Sequence, residues 1–288
     1  MKNALSVDLE DYYHATAFAA SSTKENSYAS RVEANTEKVL GLLSAAGCRA
    51  TFFTVGWVAE HFPQLIRAIA NLGHEIACHS YGHRLVYSLT PTEFREDTRR
   101  AKQFLEDACG ARVRGYRAPT FSITPNCLWA FEILAELGFT YDSSIFPIKH
   151  LDHGMPDGPR FPFRIETRHG HIVEFPLPTL TFAGARSPFG GGAYLRLLPY
   201  RYTRWGIHYI NGHENHAVCV YLHPWELDTE QPRMNGSLTA RLRQYVGLKG
   251  MESKLKHLLR DFEFCPLGTM IEQLNAPDFD LLGLSKRS

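Results

Sequence analysis

The sequence lacks any apolar run long enough to cross a bilayer, and it has almost no excess of charge of either sign. No stretch approaches the ~20 apolar residues that a spanning helix needs. The 288 residues include 31 Lys and Arg against 30 Asp and Glu, a formal net charge of +1. Proteins that coat nucleic acid or an anionic membrane usually carry a basic excess. The overall charge therefore disfavours both of these functions.

Targeting and disulfide signals are also missing. The N-terminus does not have the pattern of a signal peptide, because Asp8, Glu10 and Asp11 fall where an apolar segment should lie. The six cysteines include no Cys-x-x-Cys pair, and most lie in apolar stretches, so we interpret them as buried thiols. We therefore expect a cytoplasmic protein with no transmembrane segment.

Short apolar strands alternate with helical segments in the first half of the chain. The pattern predicts strands over residues 4–8, 50–55, 75–79, 113–117 and 139–143. The most clearly marked helix begins with the capping box Thr90-Pro91-Thr92-Glu93 and ends at Gly110. Such alternation indicates βαβ units around a parallel sheet or barrel.

The pattern changes over residues 150–192, where proline and glycine are frequent and only 171–177 is predicted as a strand. We interpret this segment as a long loop insertion over one mouth of a barrel.

Regular structure is predicted again after this segment. The pattern indicates a helix, a strand and a longer helix, over 202–209, 217–222 and Ser237 to Leu259. We therefore expect one α/β domain over 1–288, with motifs that bear the chemistry within 6–228 and a helical extension over about 229–288.

Polar clusters follow four of the predicted strands, at residues 8–11, 79–83, 117–120 and 222–225. The carboxyl ends of parallel strands meet at one edge of a sheet, where ligands bind. We therefore expect the four clusters to form one shared site.

His79 and His83 are four residues apart, a spacing that places two imidazoles on one side of a helical turn. Two neutral imidazoles and a carboxylate form a triad that suits Zn²⁺, Fe²⁺, Co²⁺ or Ni²⁺. The chain has 14 histidines, however, and a pair of solvated loop histidines explains the same spacing. The pair alone leaves metal binding open.

Asp8 and Glu10 are two residues apart and point to the same face of an extended strand. Glu10 can therefore bind a metal while Asp8 accepts a proton from water. An acidic loop that caps the next helix is the alternative. It explains Asp11 equally well, but it does not explain Asp8 at the tip of an apolar strand.

Taken in order, the motifs resemble those of polysaccharide deacetylases of the NodB-homology type, carbohydrate esterase family 4. His79-Ser80-Tyr81-Gly82-His83 is similar to the family's His-Ser/Thr-x-x-His motif. Arg117-Ala118-Pro119 is similar to its Arg-x-Pro motif, and Leu222-His223 to its late Leu-His motif. The family's adjacent Asp-Asp pair is replaced by the run from Asp8 to Asp11.

Three longer segments, 6–14, 189–194 and 221–226, resemble more narrowly the deacetylases encoded with bacterial exopolysaccharide and exosortase loci. The resemblance implies a deformed (β/α)₇ barrel and metal-dependent hydrolysis of the N-acetyl group of a hexosamine. The implied substrate is an N-acetylated sugar polymer, oligomer or lipid-linked precursor. Association with polysaccharide-synthesis proteins is also implied, and nucleic acid is not an expected partner.

The resemblance also implies roles for single residues. Asp8 resembles the general base, His223 the general acid, and Arg117 the arginine that orients the base. The metal ligands, with Zn²⁺ as the first expectation, are Glu10 (Asp11 second), His79 and His83. The backbone N–H of Thr120, just after Pro119, resembles the donor that holds the oxyanion.

Several assignments keep alternatives. Trp225 packs either against a sugar ring or in the core. Arg117 is otherwise a surface salt-bridge residue, and His223 is otherwise a fourth metal ligand or a core histidine. For the whole chain, the alternatives are a hydrolase of a small amide or N-formyl sugar on the same barrel, and a catalytically silent carbohydrate-binding scaffold.

Overall fold

A largely parallel sheet organises the chain, which the computed structural model describes over residues 1–14, 28–149 and 154–281. The parts of the predicted insertion and C-terminal extension at 150–153 and 282–288 lie outside the described residues. The strands are β1 (Asn3–Leu9), β2 (Thr51–Thr54), β3 (Glu75–Cys78), β4 (Gly115–Tyr116), β5 (Tyr141–Asp142), β6 (Phe163–Thr167), β7 (Gly170–Glu174), β8 (Thr179–Phe182), β9 (Ala185–Pro188), β10 (Cys219–Leu222) and β11 (Phe264–Cys265).

Seven strands run parallel in the order β10-β1-β2-β3-β4-β5-β7. These are the seven strands that the apolar pattern predicts, so the parallel α/β fold is confirmed. The outer edge of β7 carries the antiparallel strand β6. In the described part of the chain no strand pairing joins β6 to β10, so closure into a deformed (β/α)₇ barrel stays a prediction.

The helices are α1 (Val32–Ala45), α2 (Gly56–His61), α3 (Pro63–Asn71), α4 (Pro91–Cys109), α5 (Trp129–Glu136), α6 (Gly192–Leu197), α7 (Tyr200–Tyr209), α8 (Leu238–Tyr245), α9 (Leu248–Asp261) and α10 (Leu267–Ile271). None of these described helices combines the length and the apolar character that a membrane crossing requires. The capping box of α4 forms as predicted, since Thr90 and Glu93 bond each other's backbone N–H groups, and Gly110 follows in the left-handed conformation.

The segment predicted as a loop insertion contains regular structure. Strands β6 and β7 form one antiparallel hairpin and β8 and β9 another, and β7 joins the parallel sheet. The interpretation of 150–192 as a long loop was therefore wrong where β6, β8 and β9 form, while the strand predicted at 171–177 is present as β7. The alternation of buried Phe163 and Ile165 with less buried Arg164 and Glu166 is the strand period that would have revealed β6.

The C-terminal part also differs from the expected run of helix. The helix predicted from Ser237 to Leu259 is broken at Gly247, whose φ of +84° is readily adopted only by glycine, and becomes α8 and α9. Beyond α9, β11 adds a parallel strand beside β1. The extension is therefore not wholly helical and is part of the sheet architecture.

The side chains of β1 alternate between two environments. Leu5, Val7 and Leu9 pack in the main apolar core. Ser6 and Asp8 point to the other face of the sheet, where both are buried and bonded to a guanidinium group. Period-two alternation thus carries polar groups into the interior beneath the carboxyl edge of the sheet.

Candidate active site

The four polar clusters predicted from sequence come together at the carboxyl edge of the sheet. They follow β1, β3, β4 and β10, which lie within a run of five adjacent parallel strands. The shared site expected from the strand-end positions is therefore present in the fold.

Glu10, His79 and His83 form a compact cluster of possible metal ligands. One ligand atom from each lies within 4.8 Å of the others. His79 donates from Nδ1 to the carbonyl oxygen of Arg117 (2.8 Å), which leaves its Nε2 for another partner. In metal sites, a hydrogen bond from one imidazole nitrogen commonly orients the histidine whose other nitrogen binds the metal.

The buried atoms of this cluster fit a divalent cation. Oε2 of Glu10 is buried and receives no hydrogen bond from the described residues, although Nε2 of His83 is only 2.7 Å away. A buried carboxylate oxygen without a donor is costly unless a cation or proton satisfies it. Two imidazoles with one carboxylate suit Zn²⁺ and its transition-metal neighbours.

The conformation of the loop after β3, not a helical turn, brings His83 back to His79. Ser80 and His83 adopt positive φ angles of 61° and 51°, which are uncommon for residues with a Cβ. The Asp97 carboxylate on α4 accepts hydrogen bonds from the N–H groups of Tyr81 and Gly82. The predicted reason for the spacing was therefore wrong, although the two imidazoles do meet.

The local charges favour the protonation states that bind metal. Burial lowers the pKa of His79 to about 4, so its imidazole is neutral at neutral pH. Burial alone would raise the pKa of Glu10, but the surrounding imidazoles, chiefly that of His83, hold it well below its usual range. The cluster therefore contains an ionised carboxylate, that of Glu10, and a neutral imidazole, that of His79.

Asp8 is held by a buried ion pair. Its Oδ1 accepts a hydrogen bond of 2.6 Å from Nη1 of Arg117, and the two side chains are 2% and 0% exposed. This burial rules out the alternative of a surface salt bridge. Asp8 also lies close enough to His79 and His223 to interact electrostatically with both imidazoles.

The guanidinium of Arg117 is itself fixed on several sides. It donates to Ser6 Oγ (2.8 Å), to the carbonyl oxygen of Ser143 (3.1 Å) and to Ser143 Oγ (2.9 Å). The face of the Phe53 ring lies 4.1 Å from its central carbon. Arg117 is therefore a rigid support for the Asp8 carboxylate.

His223 lies beside the Glu10 carboxylate. Its Nε2 is 3.7 Å from Oε1 of Glu10, and its Nδ1 donates to Oε2 of Glu226 (3.3 Å). Burial alone would lower the pKa of His223, but the carboxylates of Glu226 and Glu10 raise it to about 9. Its side chain is 18% exposed, against 3% for Glu10 and 6% for His83, so it is the most accessible of these groups.

Trp225 is placed for packing and hydrogen bonding. It is 5% exposed, its ring stacks on that of His223, and its Nε1 donates to Oε1 of Glu10 (3.1 Å). This position favours the core alternative over contact with a sugar ring.

The remaining predicted residues lie at two places. The Asp11 carboxylate accepts hydrogen bonds from Ser30 Oγ and the Arg31 N–H just before α1. This supports Glu10 over Asp11 as the ligand. Pro119 and Thr120 begin a 3₁₀ turn after β4, with Thr120 at a φ of 54°. The oxyanion role of Thr120 stays a prediction.

Sequence reasoning missed three supporting residues: Asp97, Ser143 and Glu226. Glu226 had a local signal, since it lies three residues after His223, the spacing of a capping box. Arg196 of α6 donates to the other oxygen of Glu226 (3.0 Å), and both side chains are buried. Asp97 and Ser143 gave no local signal, because their partners are distant in the chain.

A pair of buried acidic residues lies near Arg117. Asp142 and Glu174 are register partners at the ends of β5 and β7, and both are fully buried. Asp142 accepts hydrogen bonds from the N–H and Oγ of Ser144, and Glu174 accepts one from the N–H of Ile145. Burial and the adjacent Asp142 carboxylate raise the pKa of Glu174 well above its usual range. The two carboxyl groups anchor Ser144 and Ile145, which follow the Ser143 that holds the Arg117 guanidinium.

Comparison with known protein families gives two matches along the chain. Residues 16–141 match the family model of the polysaccharide deacetylases, and residues 143–272 match a model described as a domain of unknown function (DUF3473). The first match contains His79, His83 and Arg117, the second contains His223, and Asp8 precedes both.

Relatives with curated names give the same indication. A peptidoglycan-N-acetylglucosamine deacetylase of Bacillus cereus is 35% identical over 98 residues, which is 34% of this chain and 36% of that protein. A chitooligosaccharide deacetylase of Bradyrhizobium is 29% identical over 100 residues, 35% of this chain and 43% of that protein. The chain thus covers less than half of the length of either relative.

Among solved structures, a Mycobacterium smegmatis protein assigned to the polysaccharide deacetylases superposes with a TM-score of 0.61. The alignment covers 96% of this chain and 93% of that protein at 20% identity, a likeness that concerns the fold. Residues 16–141 and the named relatives thus show similarity to polysaccharide deacetylases, which hydrolyse carbon–nitrogen bonds. The superposed structure shows the same fold.

The geometry of the cluster predicts which carboxylate holds a metal. Glu10→Ala should abolish stoichiometric Zn²⁺ binding, because it removes one of three protein ligands. Asp11→Asn should retain full stoichiometry, because the Asp11 oxygens bond the start of α1. Metal content by mass spectrometry of the purified variants measures both. Metal retained by Glu10→Ala and lost by Asp11→Asn would reverse the assignment.

The Asp142–Glu174 pair predicts a pH dependence of stability. A raised pKa means that folded Glu174 keeps its proton at a pH where the unfolded chain, with a value near ~4.3, has released it. This contribution to stability is present at low pH and is lost as the pH rises towards the folded pKa. Glu174→Gln removes this loss, because the amide stays neutral.

Urea denaturation from pH 5 to 8 measures the effect. The stability of Glu174→Gln relative to the native chain should increase with pH, by at most ~1.4 kcal/mol per unit. Glu166→Gln, an exposed position on β6, serves as the control and should show no such trend. Parallel curves for Glu174→Gln and the native chain would show that Glu174 is ionised when folded.

Proposed function

We propose that this protein is a metal-dependent N-deacetylase, which hydrolyses the N-acetyl group of a hexosamine in a bacterial polysaccharide or its precursor and releases acetate. The observation that carries the proposal is the cluster of Glu10, His79 and His83, with the Asp8–Arg117 pair and His223 close beside it. The names of the curated relatives support a sugar polymer as substrate.

Hydrolysis of an amide needs an activated water, stabilisation of charge on the carbonyl oxygen and a proton for the departing amine. Glu10, His79 and His83 would hold the metal, with Zn²⁺ the first expectation and Co²⁺, Ni²⁺ or Fe²⁺ as alternatives. When bound, a divalent cation there makes water more acidic and polarises a carbonyl oxygen.

Asp8 takes the proton of the attacking water in this proposal. Arg117 holds the Asp8 carboxylate in one orientation and balances its charge, because the pair is buried together. Ser6 and Ser143 prevent the guanidinium from turning away. Asp8 thus accepts a proton at its carboxylate from a fixed position.

His223 gives the proton to the leaving nitrogen. Its Nδ1 is engaged with Glu226, which leaves Nε2 as the atom that delivers the proton towards the centre of the site. The raised pKa keeps the ring protonated at neutral pH, the form that a general acid requires. The stacked Trp225 ring fixes the plane of the imidazole.

The class of substrate is tested directly by acetate release. Purified protein is incubated with N-acetylglucosamine oligomers, with and without a chelator, and the acetate is quantified. Release that stops on chelation and returns with Zn²⁺ supports the proposal. Turnover of only small amides or N-formyl sugars supports another hydrolase, and binding without any turnover supports a silent scaffold. The proposal also includes a cytoplasmic location and a substrate of exopolysaccharide assembly, either the polymer or a lipid-linked precursor.

Asp8→Asn is expected to lower kcat by ~10²–10⁴-fold, because asparagine keeps the shape of the side chain but cannot accept the proton. Metal content should stay stoichiometric. The control is Asp107→Asn, an exposed acid on α4 that should retain full activity. Near-normal turnover of metal-loaded Asp8→Asn would refute the role of Asp8 as base, and loss of metal would make Asp8 a ligand.

His223→Ala should discriminate between substrates by their leaving groups. An amine must be protonated as it departs, whereas an activated phenolate leaves without a proton. We therefore expect kcat on the N-acetyl sugar to fall at least ~10²-fold, with a much smaller loss on an aryl acetate. Equal losses on both substrates would remove His223 from the proton transfer, whereas Asp8→Asn should impair both.

A further inference from the structure

The outer face of α8 exposes several large aliphatic side chains. Leu238 is 72% exposed, Leu242 50% and Val246 44%. Leu238 and Leu242 are four residues apart and therefore lie on one side of α8, and Val246 directly follows the last residue of the helix.

The opposite face of α8 packs beside the candidate active site. Ala240 is buried in an apolar cluster with Tyr12 and Trp225. Gln244 donates to the carbonyl oxygen of Tyr12 (3.2 Å). The exposed apolar side chains therefore lie on the outside of a helix whose inner face contacts the walls of the site.

The same segment has a strong local charge. Residues 232–251 contain four cationic side chains and no Asp or Glu, although the whole chain has a net charge of only +1. All four are exposed, and no carboxylate of the described residues lies within ion-pair distance of them. The four are Arg233, Arg241, Arg243 and Lys249.

We infer that the outer face of α8 docks on an anionic phospholipid bilayer. Leu238, Leu242 and Val246 enter the boundary between headgroups and acyl chains, and the surrounding cations contact the lipid phosphates. Exposed aliphatic residues beside a basic segment are the usual composition of an interfacial helix. The helix has only eight residues, so the binding is weak and reversible.

Charge argues for a lipid surface over a second copy of the chain. A two-fold symmetric interface would place the same patch on both subunits. The four unpaired cations of one copy would then face those of the other, which is unfavourable. Anionic headgroups instead complement the patch at every cation.

The test uses the full chain and vesicle flotation. Vesicles of phosphatidylcholine alone are compared with vesicles that contain about one third phosphatidylglycerol. We expect binding only to the anionic vesicles, weakened by added salt because the charges are screened. Leu238→Ser with Leu242→Ser, and Arg241→Gln with Arg243→Gln, should each reduce the bound fraction at least ~5-fold.

Leu72→Ser provides the matched control, because Leu72 is 54% exposed on another part of the surface and should not affect flotation. Acetate release from soluble sugar oligomers should stay unchanged in the Leu238→Ser, Leu242→Ser variant. A failure of the docking inference can therefore be told apart from a failure of the proposed activity. Flotation that is absent, or unchanged in that variant, would overturn the inference. A native dimer that this variant converts to monomer, by light scattering, would instead assign the face to a second copy.

Discussion

The buried ion pair between Arg117 and Asp8 is the interaction on which the rest of the site depends. A charge buried alone is strongly unfavourable, so each partner requires the other, and removal of one typically costs about 3–5 kcal/mol. Because Asp8 ends β1 and Arg117 follows β4, the pair also sets how these strands sit across the sheet. The neighbouring Ser143 extends this constraint to the end of β5.

The site draws on the chain from its first strand to beyond residue 220. Asp8 and Glu10 precede both matched family segments, His79 and His83 lie in the first, and His223 lies in the second. His223 is supported by Glu226, which is held in turn by Arg196 of α6. Chemistry at this edge of the sheet therefore requires both segments to be folded against each other.

The net charge of the chain did not predict how charge is distributed over its surface. Basic and acidic residues balance overall, yet acidic side chains are absent from 232–251 and buried carboxylates such as Asp8 and Glu226 are neutralised inside the fold. Charge that is paired internally contributes little to the potential outside the protein. A composition near neutrality is thus compatible with a locally basic face.

The sequence by itself predicted the parallel α/β fold and placed the candidate site residues at strand ends, because apolar strands and strand-end motifs are local patterns. Of the two hairpins over 163–188 only β7 was predicted, and the break at Gly247 was not. Only the tertiary structure decided that Glu10 and not Asp11 meets the histidines, and that Asp97 shapes the loop before His83. These choices depend on contacts between residues far apart in the chain, which no local pattern encodes.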